Sequence, residues 1–253
     1  MNQELQVAKQ AAVEAGNLIL NYYKSDYEIK DKGFHNPVTT ADKASDKKIK
    51  DILTTTVPEY GWLSEETVDS KERLKNKRVW VVDPLDGTKE FIEGVPHFVV
   101  SIGLVEDGIP IMGILYNPVT VELFEAYKGN GAKLNNKKIK CSSKINLSEL
   151  VRLYSRSETK KGLGDSHIKT FKELKPIGSV AYKLGFTAAG KADVFASLRP
   201  KNEWDICAGN CIVNEAGGKL IDLSGKERIY NQENTLICPG LIAGEISAVE
   251  KTF

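Results

Sequence analysis

The sequence contains few of the residues that build disulfide frameworks or soft-metal sites. Among its 253 residues are four cysteines, three histidines and two methionines. Only two of the cysteines lie close together, and the histidines are scattered, so no zinc site is indicated. We expect all four to be small packing residues in a reducing compartment: Cys141, Cys207, Cys211 and Cys238.

An excess of charge of one sign and long hydrophobic runs are also missing. The chain has 35 basic and 34 acidic residues and a net charge of +1, so nothing favours binding to a nucleic-acid polymer or an anionic membrane. The longest apolar stretches, at 98–105 and 109–116, are too short to span a bilayer. Residues 1–24 lack the pattern of a signal peptide. We therefore expect a cytoplasmic protein.

Apolar residues recur at helical spacing in the first part of the chain. Residues 1–24 and 41–56 both show this pattern, which predicts two amphipathic helices. Thr40 is the predicted N-cap of the second helix, because it directly precedes the apolar periodicity. Asp42 then lies in the first turn, where its carboxylate either has a function or only complements the helix dipole.

The pattern changes to strands near residue 79. An apolar run at 79–82 ends at Asp83, and longer runs at 98–105 and 109–116 flank the turn Glu106-Asp107-Gly108. Together with a further run these strands predict an antiparallel meander. Beyond about residue 147, short strands alternate with helices.

The segment Asp83-Pro84-Leu85-Asp86-Gly87-Thr88 carries the strongest chemical signal. Two carboxylates three residues apart follow a buried strand. The turn between them contains a proline, which restricts the backbone, and ends at a glycine, which allows it to bend. This geometry can aim both carboxylates and the Leu85 carbonyl at one point, while the Gly87 and Thr88 amides can meet an anion. On its own, the motif fits equally well a loop whose aspartates bond their own backbone.

Two other acidic positions bear on this choice. Glu65, within Ser64-Glu65-Glu66, follows a Gly-Trp segment, where a carboxylate can emerge from the end of another short strand. Asp205 opens a predicted helix at 205–216 that Gly217-Gly218 closes. Taken singly, Asp205 is as well explained as an ordinary N-cap aspartate.

The four segments occur in a fixed order along the chain: Pro37-Val38-Thr39-Thr40-Ala41-Asp42, Ser64-Glu65-Glu66, Asp83-Pro84-Leu85-Asp86-Gly87-Thr88, and Trp204-Asp205 running into Glu215-Ala216-Gly217-Gly218. In this series the sequence resembles the inositol monophosphatase superfamily, which includes inositol monophosphatases, 3'(2'),5'-bisphosphate nucleotidases and relatives of fructose-1,6-bisphosphatase. The resemblance spans nearly the whole chain, and four motifs in series are far more specific than one.

The resemblance implies an α/β (α+β) fold, the layered αβαβα sandwich of the inositol monophosphatase and fructose-1,6-bisphosphatase type. An N-terminal α+β half would span 1–146 and would contain an antiparallel sheet and the metal loop, the segment Asp83-Pro84-Leu85-Asp86-Gly87-Thr88. A C-terminal α/β half at 147–253 would close the active site. The resemblance also implies a homodimer and sensitivity to lithium.

Carboxylates that converge on one pocket need bound cations or protons. Two unit charges about 4 Å apart repel each other by roughly 4 kcal/mol at an effective dielectric constant near 20. Ligation by oxygen alone favours Mg²⁺, with Mn²⁺ possible. The resemblance implies two or three ions per site. Glu65, Asp83 and the Leu85 carbonyl would hold one ion. Asp83, Asp86 and Asp205 would hold the second.

The resemblance also implies catalytic roles. The hydroxyl that matches Thr88 and the carboxylate that matches Asp42 would orient and deprotonate an attacking water, with Glu65 in the same catalytic set. Water would attack the phosphorus in line, without a phosphoenzyme. The residues expected to contact substrate are Asp86, Gly87, Thr88, Lys183 and Asp205.

The residues after the metal loop resemble two branches of the superfamily that act on different substrates. Lys89-Glu90-Phe91 resembles the bisphosphate nucleotidase branch, in which Lys183 would neutralise a second phosphate. A solvated helix lysine explains Lys183 equally well. Pro96-His97-Phe98 and the compact length resemble bacterial inositol monophosphatases.

We therefore expect an Mg²⁺-dependent phosphatase for a small phosphorylated metabolite. The preferred reaction converts 3'-phosphoadenosine 5'-phosphate to AMP and phosphate, and the alternative is an inositol-1-monophosphatase or a broad-specificity sugar phosphatase. A non-catalytic regulatory protein on the same fold is a third alternative, although every ligand position of the motif is filled.

Overall fold

The computed structural model describes residues 3–31, 33, 37–159, 170–238 and 240–251. The helices in these ranges are α1 (Gln3–Leu20), α2 (Thr40–Thr56), α3 (Thr88–Ile92), α4 (Arg156–Thr159), α5 (Val180–Ala188), α6 (Glu203–Glu215) and α7 (Ile246–Lys251), with 3₁₀ turns at Glu72–Lys75 and Leu147–Glu149. No helix within these ranges has the length and apolar character needed to cross a membrane.

A seven-stranded sheet forms the first half of the fold. Its strands lie side by side in chain order: β3 (Gly61–Ser64), β4 (Arg78–Asp86), β5 (Val99–Glu106), β6 (Ile109–Asn117), β7 (Glu122–Tyr127), β8 (Ala132–Leu134) and β9 (Lys137–Ile139). The pairing is antiparallel from β4 onward, which confirms the predicted meander, whereas β3 runs parallel to β4.

A five-stranded sheet lies in the second half. Its strands are β10 (Val151–Ser155), β11 (Glu173–Ile177), β12 (Val194–Ser197), β14 (Lys219–Asp222) and β16 (Leu241–Gly244), in the spatial order β11-β10-β12-β16-β14. Strand β10 is parallel to β11 and β12, and β16 is antiparallel to β12 and β14. Two short ribbons pair β1 (Ile29–Asp31) with β2 (Pro37–Thr39) and β13 (Lys201–Asn202) with β15 (Leu236–Ile237).

Three apolar clusters hold these elements in five layers. Helices α1 and α2 cover one face of the seven-stranded sheet, α5 and α6 lie between the two sheets, and α7 covers the outer face of the second sheet. Side chains of β4 alternate between the clusters, with Trp80 and Val82 facing α1 and α2 while Val79 and Val81 face the other way. The predicted layered α/β sandwich is confirmed.

Helix α6 lies directly on the seven-stranded sheet because two glycines leave room for its backbone. A Cβ atom on Gly113 of β6 would overlap the backbone of Ala208, and one on Gly103 of β5 would lie 2.6 Å from the Cys207 sulfur. The second half of the chain thus shares a core with the first. This close packing carries the first turn of α6 to the sheet edge where β4 ends.

Several local predictions need correction. Helix α2 has Thr39, not Thr40, as its N-cap, since the Thr39 hydroxyl accepts a hydrogen bond from the Ala41 amide. Strand β4 does not end at residue 82 but continues to Asp86. Of the four cysteines, Cys207 and Cys211 are buried and Cys141 partly so, but Cys238 is exposed and is not a packing residue.

Candidate active site

The acidic motif forms the irregular end of β4. The pairing of β4 with β5 shifts register between Asp83 and Asp86, so that the two aspartates lie opposite Ser101 and Val99. The Leu85 amide donates a hydrogen bond to Asp83 Oδ1 over 3.0 Å. The bend that results turns both carboxylates and the peptide of Leu85 towards one cavity. The alternative of a loop bonded to itself is therefore half right, because one such bond exists and shapes the site.

Two other elements bring the remaining acidic residues to this edge. Glu65 follows β3, and since β3 runs parallel to β4, the carboxyl ends of both strands lie side by side. The Glu65 amide donates to the Val82 carbonyl over 3.2 Å, which extends the pairing past the end of β3. Asp205 arrives from the other half, in the first turn of α6. The N-cap of α6 is Asn202, so the interpretation of Asp205 as N-cap was wrong. Asp205 instead accepts a bond from the Asn202 amide over 2.8 Å.

The cavity between these elements has a volume of about 290 Å³. Most of the site residues expected from the sequence line it, namely Glu65, Asp83, Leu85, Asp86, Gly87, Thr88, Lys183 and Asp205. Asp42 is buried and does not line the cavity, but it is connected to the site by a hydrogen bond from the Thr88 hydroxyl.

Thr88 and Asp42 form a pair at the edge of the cavity. Thr88 Oγ1 lies 2.9 Å from Asp42 Oδ1 and 3.2 Å from the Leu85 carbonyl, so its single proton has two possible acceptors. The other oxygen of Asp42 accepts from the amide and the hydroxyl of Thr39, at 2.7 and 2.6 Å. Asp42 therefore both closes the capping box of α2 and orients Thr88. Its two interpretations, functional and structural, are compatible.

The carboxylates raise one another's pKa values. Burial, followed by the charges of Asp86 and Glu65, raises the pKa of Asp205 to about 8. Burial and the charges of Glu65, Asp86 and Asp205 raise the pKa of Asp83 well above its usual range. The pKa of Asp86 is also raised by burial, although hydrogen bonds from Ser179 and Ala181 oppose this shift. The site is thus short of positive charge at its centre.

The lack of positive charge among these carboxylates favours the binding of a divalent cation. The donors are carboxylate and carbonyl oxygens, the set that Mg²⁺ and Mn²⁺ prefer. A bound cation would favour the ionised carboxylates that burial and mutual repulsion disfavour. No three acidic, imidazole or thiol side chains in the described part of the chain already form a closed metal-binding set. The fit therefore rests on donor type and electrostatics rather than on a preformed coordination shell.

Lys183 is not a solvated helix lysine. Its side chain, on α5, is only 3% exposed and lines the cavity. Its Nζ donates to the Ile177 carbonyl over 3.2 Å and lies 5.1 Å from the centre of the Phe195 ring. Burial raises the pKa of Asp86, and the charge of Lys183 opposes this rise. Burial at this point places a cation beside the carboxylates.

Several residues that line the cavity were not identified from the sequence. Ser179 is the N-cap of α5, and its hydroxyl donates to Asp86 Oδ2 over 2.6 Å. A serine directly before a helical pattern is an N-cap signal that sequence reasoning could have used. Ser155, Arg199 and Lys201 also line the cavity and belong to no motif. Lys89 and Glu90 line it as well, although the sequence singled them out only for their resemblance to the nucleotidase branch.

The chain is similar to known proteins in sequence and in fold. The family model described as the inositol monophosphatase family matches residues 1–251. Inositol monophosphatase 2 of Solanum lycopersicum is 37% identical over 239 residues, 90% of each chain. Nus factor SuhB of Pasteurella multocida is 34% identical, covering 89% of this chain and 87% of the relative.

A solved structure agrees with these relatives. CysQ from Bacteroides thetaiotaomicron, described as a bacterial member of the same family, superposes with a TM-score of 0.78 at 33% identity, covering 95% of this chain and 96% of the other. The match to the family model extends over nearly the whole sequence, through all four acidic segments. The chain belongs to the inositol monophosphatase family.

Proposed function

We propose that the protein is an Mg²⁺-dependent phosphomonoesterase acting on a small phosphate ester. One observation carries the proposal: four acidic residues line a single cavity beside the Thr88–Asp42 pair. Asp83 and Asp86 at the end of β4 are buried, whereas Glu65 after β3 and Asp205 in the first turn of α6 are partly exposed. Glu65, Asp83, the Leu85 carbonyl, Asp86 and Asp205 would hold the metal ions in this arrangement.

The chain's own residues would prepare the water. Bound Mg²⁺ would polarise the phosphate and lower the pKa of a nearby water. With its proton directed to Asp42, the Thr88 oxygen can accept a hydrogen bond from that water and so orient it. Burial raises the pKa of Asp42, which makes its carboxylate a better proton acceptor. The attack on phosphorus would then proceed in line, with the proton of the water passing through Thr88 to Asp42. The bond between phosphorus and the ester oxygen would break as the new bond forms, and the departing alkoxide would take a proton from solvent and leave as the alcohol.

The charge around the cavity favours a substrate with a second phosphate. Four cationic side chains line the same cavity as the acidic cluster: Lys89, Lys183, Arg199 and Lys201. Metal ions would bind the phosphate that is cleaved, and these cations line the part of the cavity where a second anionic group would be stabilised. We therefore propose 3'-phosphoadenosine 5'-phosphate as the preferred substrate. Inositol 1-phosphate is the second candidate, because the tomato relative is named as an inositol monophosphatase.

The proposal is tested by measuring kcat/KM for 3'-phosphoadenosine 5'-phosphate, inositol 1-phosphate and fructose 1,6-bisphosphate at one Mg²⁺ concentration. We expect metal-dependent phosphate release from at least one of them, with the bisphosphorylated nucleotide first, and no release in EDTA. A folded protein that hydrolyses none of the three would instead favour a regulatory role, such as the name of the Pasteurella relative suggests.

We also propose that the protein forms a homodimer in the cytoplasm and is inhibited by lithium, as the family resemblance implies. Sedimentation of the purified protein tests the first point. A LiCl titration of the phosphatase reaction tests the second, with NaCl as the ionic-strength control.

A further inference from the structure

One face of α2 contacts three separate segments of the active site. Asp42, Ser45 and Asp46 share this face, since residues three and four apart are neighbours on a helix. Asp42 orients Thr88, and the Ser45 hydroxyl donates to the Pro84 carbonyl over 3.1 Å, inside the metal loop. Asp46 contacts the turn that carries Glu65.

Asp46 holds both ends of that turn. One of its oxygens accepts a hydrogen bond from the Ser64 hydroxyl, and the other accepts from the Thr67 hydroxyl over 2.7 Å. The Ser64 oxygen in turn accepts from the Glu66 amide over 3.4 Å. Glu65 thus lies between two residues that are both bonded to one carboxylate.

The stability of α2 does not explain why a buried carboxylate lies at position 46. Asp46 is only 8% exposed, and burying a carboxylate costs free energy unless hydrogen bonds compensate. It is the seventh residue of α2, beyond the first turn in which an acidic side chain interacts favourably with the helix dipole. Its two side-chain partners are instead the residues that flank the expected metal ligand.

We infer that Asp46 is a positioning residue that sets the direction of the Glu65 carboxylate for metal binding. The inference rests on the proposed function, in which Glu65 is a metal ligand. By tying the Glu65 turn to the helix that also holds Thr88 and Pro84, Asp46 fixes the ligand relative to the rest of the site. Partners that orient metal ligands in this way commonly change metal affinity ten- to a hundredfold when removed.

The test is a titration of the wild-type protein and of Asp46→Asn with Mn²⁺, in which the EPR signal of Mn²⁺ reports binding. The substitution leaves one acceptor oxygen in place of two, so the new amide can accept from only one of the two hydroxyls. We expect the Kd for Mn²⁺ to rise about tenfold. The Mg²⁺ concentration for half-maximal activity should rise by a similar factor, while kcat at saturating Mg²⁺ recovers to within about threefold of wild type.

Ser64→Ala and Thr67→Val provide a second route, because each removes one bond and leaves Asp46 unchanged. Each should weaken Mn²⁺ binding. The double variant Asp46→Asn/Thr67→Val should bind Mn²⁺ as tightly as Asp46→Asn alone, since the residues act as one unit. The two single variants, Ser64→Ala and Thr67→Val, decide the question if Asp46→Asn does not fold. The matched control is Asp222→Asn, which removes a buried acid bonded to the Ser224 hydroxyl over 2.6 Å in the second half of the fold. It should lower stability without changing the Kd for Mn²⁺.

A folded Asp46→Asn protein with wild-type Mn²⁺ affinity would overturn the inference, and so would additive effects in the double variant. A wild-type protein that binds Mn²⁺ but releases no phosphate would contradict the proposed function alone, because the binding data would still decide the role of Asp46. A wild-type protein that binds no Mn²⁺ would overturn both.

Discussion

The Ser179 hydroxyl donates a hydrogen bond to Asp86 Oδ2 over 2.6 Å, although 93 positions separate the two residues. The same hydroxyl accepts from the Tyr182 amide over 2.9 Å and thereby caps α5. Asp86 also accepts from the Ala181 amide in the first turn of α5. An expected metal ligand of the first half thus anchors a helix of the second half.

Replacing Ser179 by alanine should destabilise the protein by about 1–2 kcal/mol, since both the cap and the bond to Asp86 are lost. Ser179 has a positive φ of 60°, a conformation that strains any residue with a Cβ atom. Ser179→Gly lacks the hydroxyl but relieves this strain, so its loss should be smaller than that of Ser179→Ala. Urea unfolding in EDTA measures both. A glycine variant less stable than the alanine variant would contradict this account of the backbone.

Residues within one motif were predictable from the sequence because their geometry is local. Asp83, Leu85 and Asp86 share one strand end, and the spacing of Asp42 within a helical pattern placed it correctly in the first turn of α2. The N-cap of α2 was misplaced by one residue, because two adjacent threonines offer the same signal.

Glu65 and Asp205 reach the site from other elements and were recognised through their motifs, but three further residues that act across the fold were not predictable. Asp46 has no distinctive neighbours, and the N-cap signal of Ser179 indicates its bond to the helix but not its bond to Asp86. Their partners Ser64 and Asp86 lie 18 and 93 positions away. The burial of Lys183 also left no sequence signal, because a lysine within a helical pattern is ordinarily solvated. Such residues act through the packing of distant elements, which one sequence without a structure does not specify.

Asp83→Asn should abolish phosphatase turnover and leave the fold intact. The substitution removes a carboxyl whose ionised form is disfavoured by burial and by the charges of Glu65, Asp86 and Asp205. The oxygen of the new side-chain amide can still accept from the Leu85 backbone amide. In EDTA the variant should therefore melt at or above the wild-type temperature, and in Mg²⁺ it should gain less stability than the wild type. Thermal unfolding in both buffers and a phosphate-release assay test this. Near-normal activity of the purified variant would refute the role of Asp83.

Lys183→Met should lower the preference for a substrate with two phosphates. The substitution keeps most of the buried side-chain volume and removes the charge, so kcat/KM for 3'-phosphoadenosine 5'-phosphate should fall at least about tenfold relative to that for inositol 1-phosphate. Lys43→Met, at an exposed position on α2, is the control and should leave the ratio unchanged. Equal losses for the two substrates would remove Lys183 from recognition of a second phosphate.

The stability of the metal-free protein should fall as the pH rises from about 4 to about 8. The raised pKa of Asp205, about 8, means that the folded protein holds a proton that the unfolded chain has already released. Folding therefore takes up a proton in this range, and the free energy of unfolding should decrease by up to about 1.4 kcal/mol per pH unit for such a group. Carboxyls with lowered pKa values, such as Asp69 at about 2, act below this range.

Urea unfolding in EDTA at several pH values measures this slope. Asp205→Asn, which cannot titrate, should flatten it, and saturating Mg²⁺ should reduce or reverse it, because metal binding requires the ionised form. A stability that rises with pH in EDTA would show that the carboxyl cluster is not protonated in the metal-free protein.

Thr88→Ala should lower kcat by a factor of about 10²–10⁴ with little change in KM, because orienting and deprotonating the water matters chiefly in the transition state. Thr88→Ser is the matched control: it retains the hydroxyl that lies 2.9 Å from Asp42 and should keep most of the activity. Asp42→Asn tests the other partner, but since Asp42 also accepts from Thr39 in the capping box, its loss of kcat has to be compared with its loss of stability. An unchanged kcat in a folded Thr88→Ala protein would exclude the hydroxyl from the proton path, and the water would then have to be positioned by the metal-binding carboxylates alone.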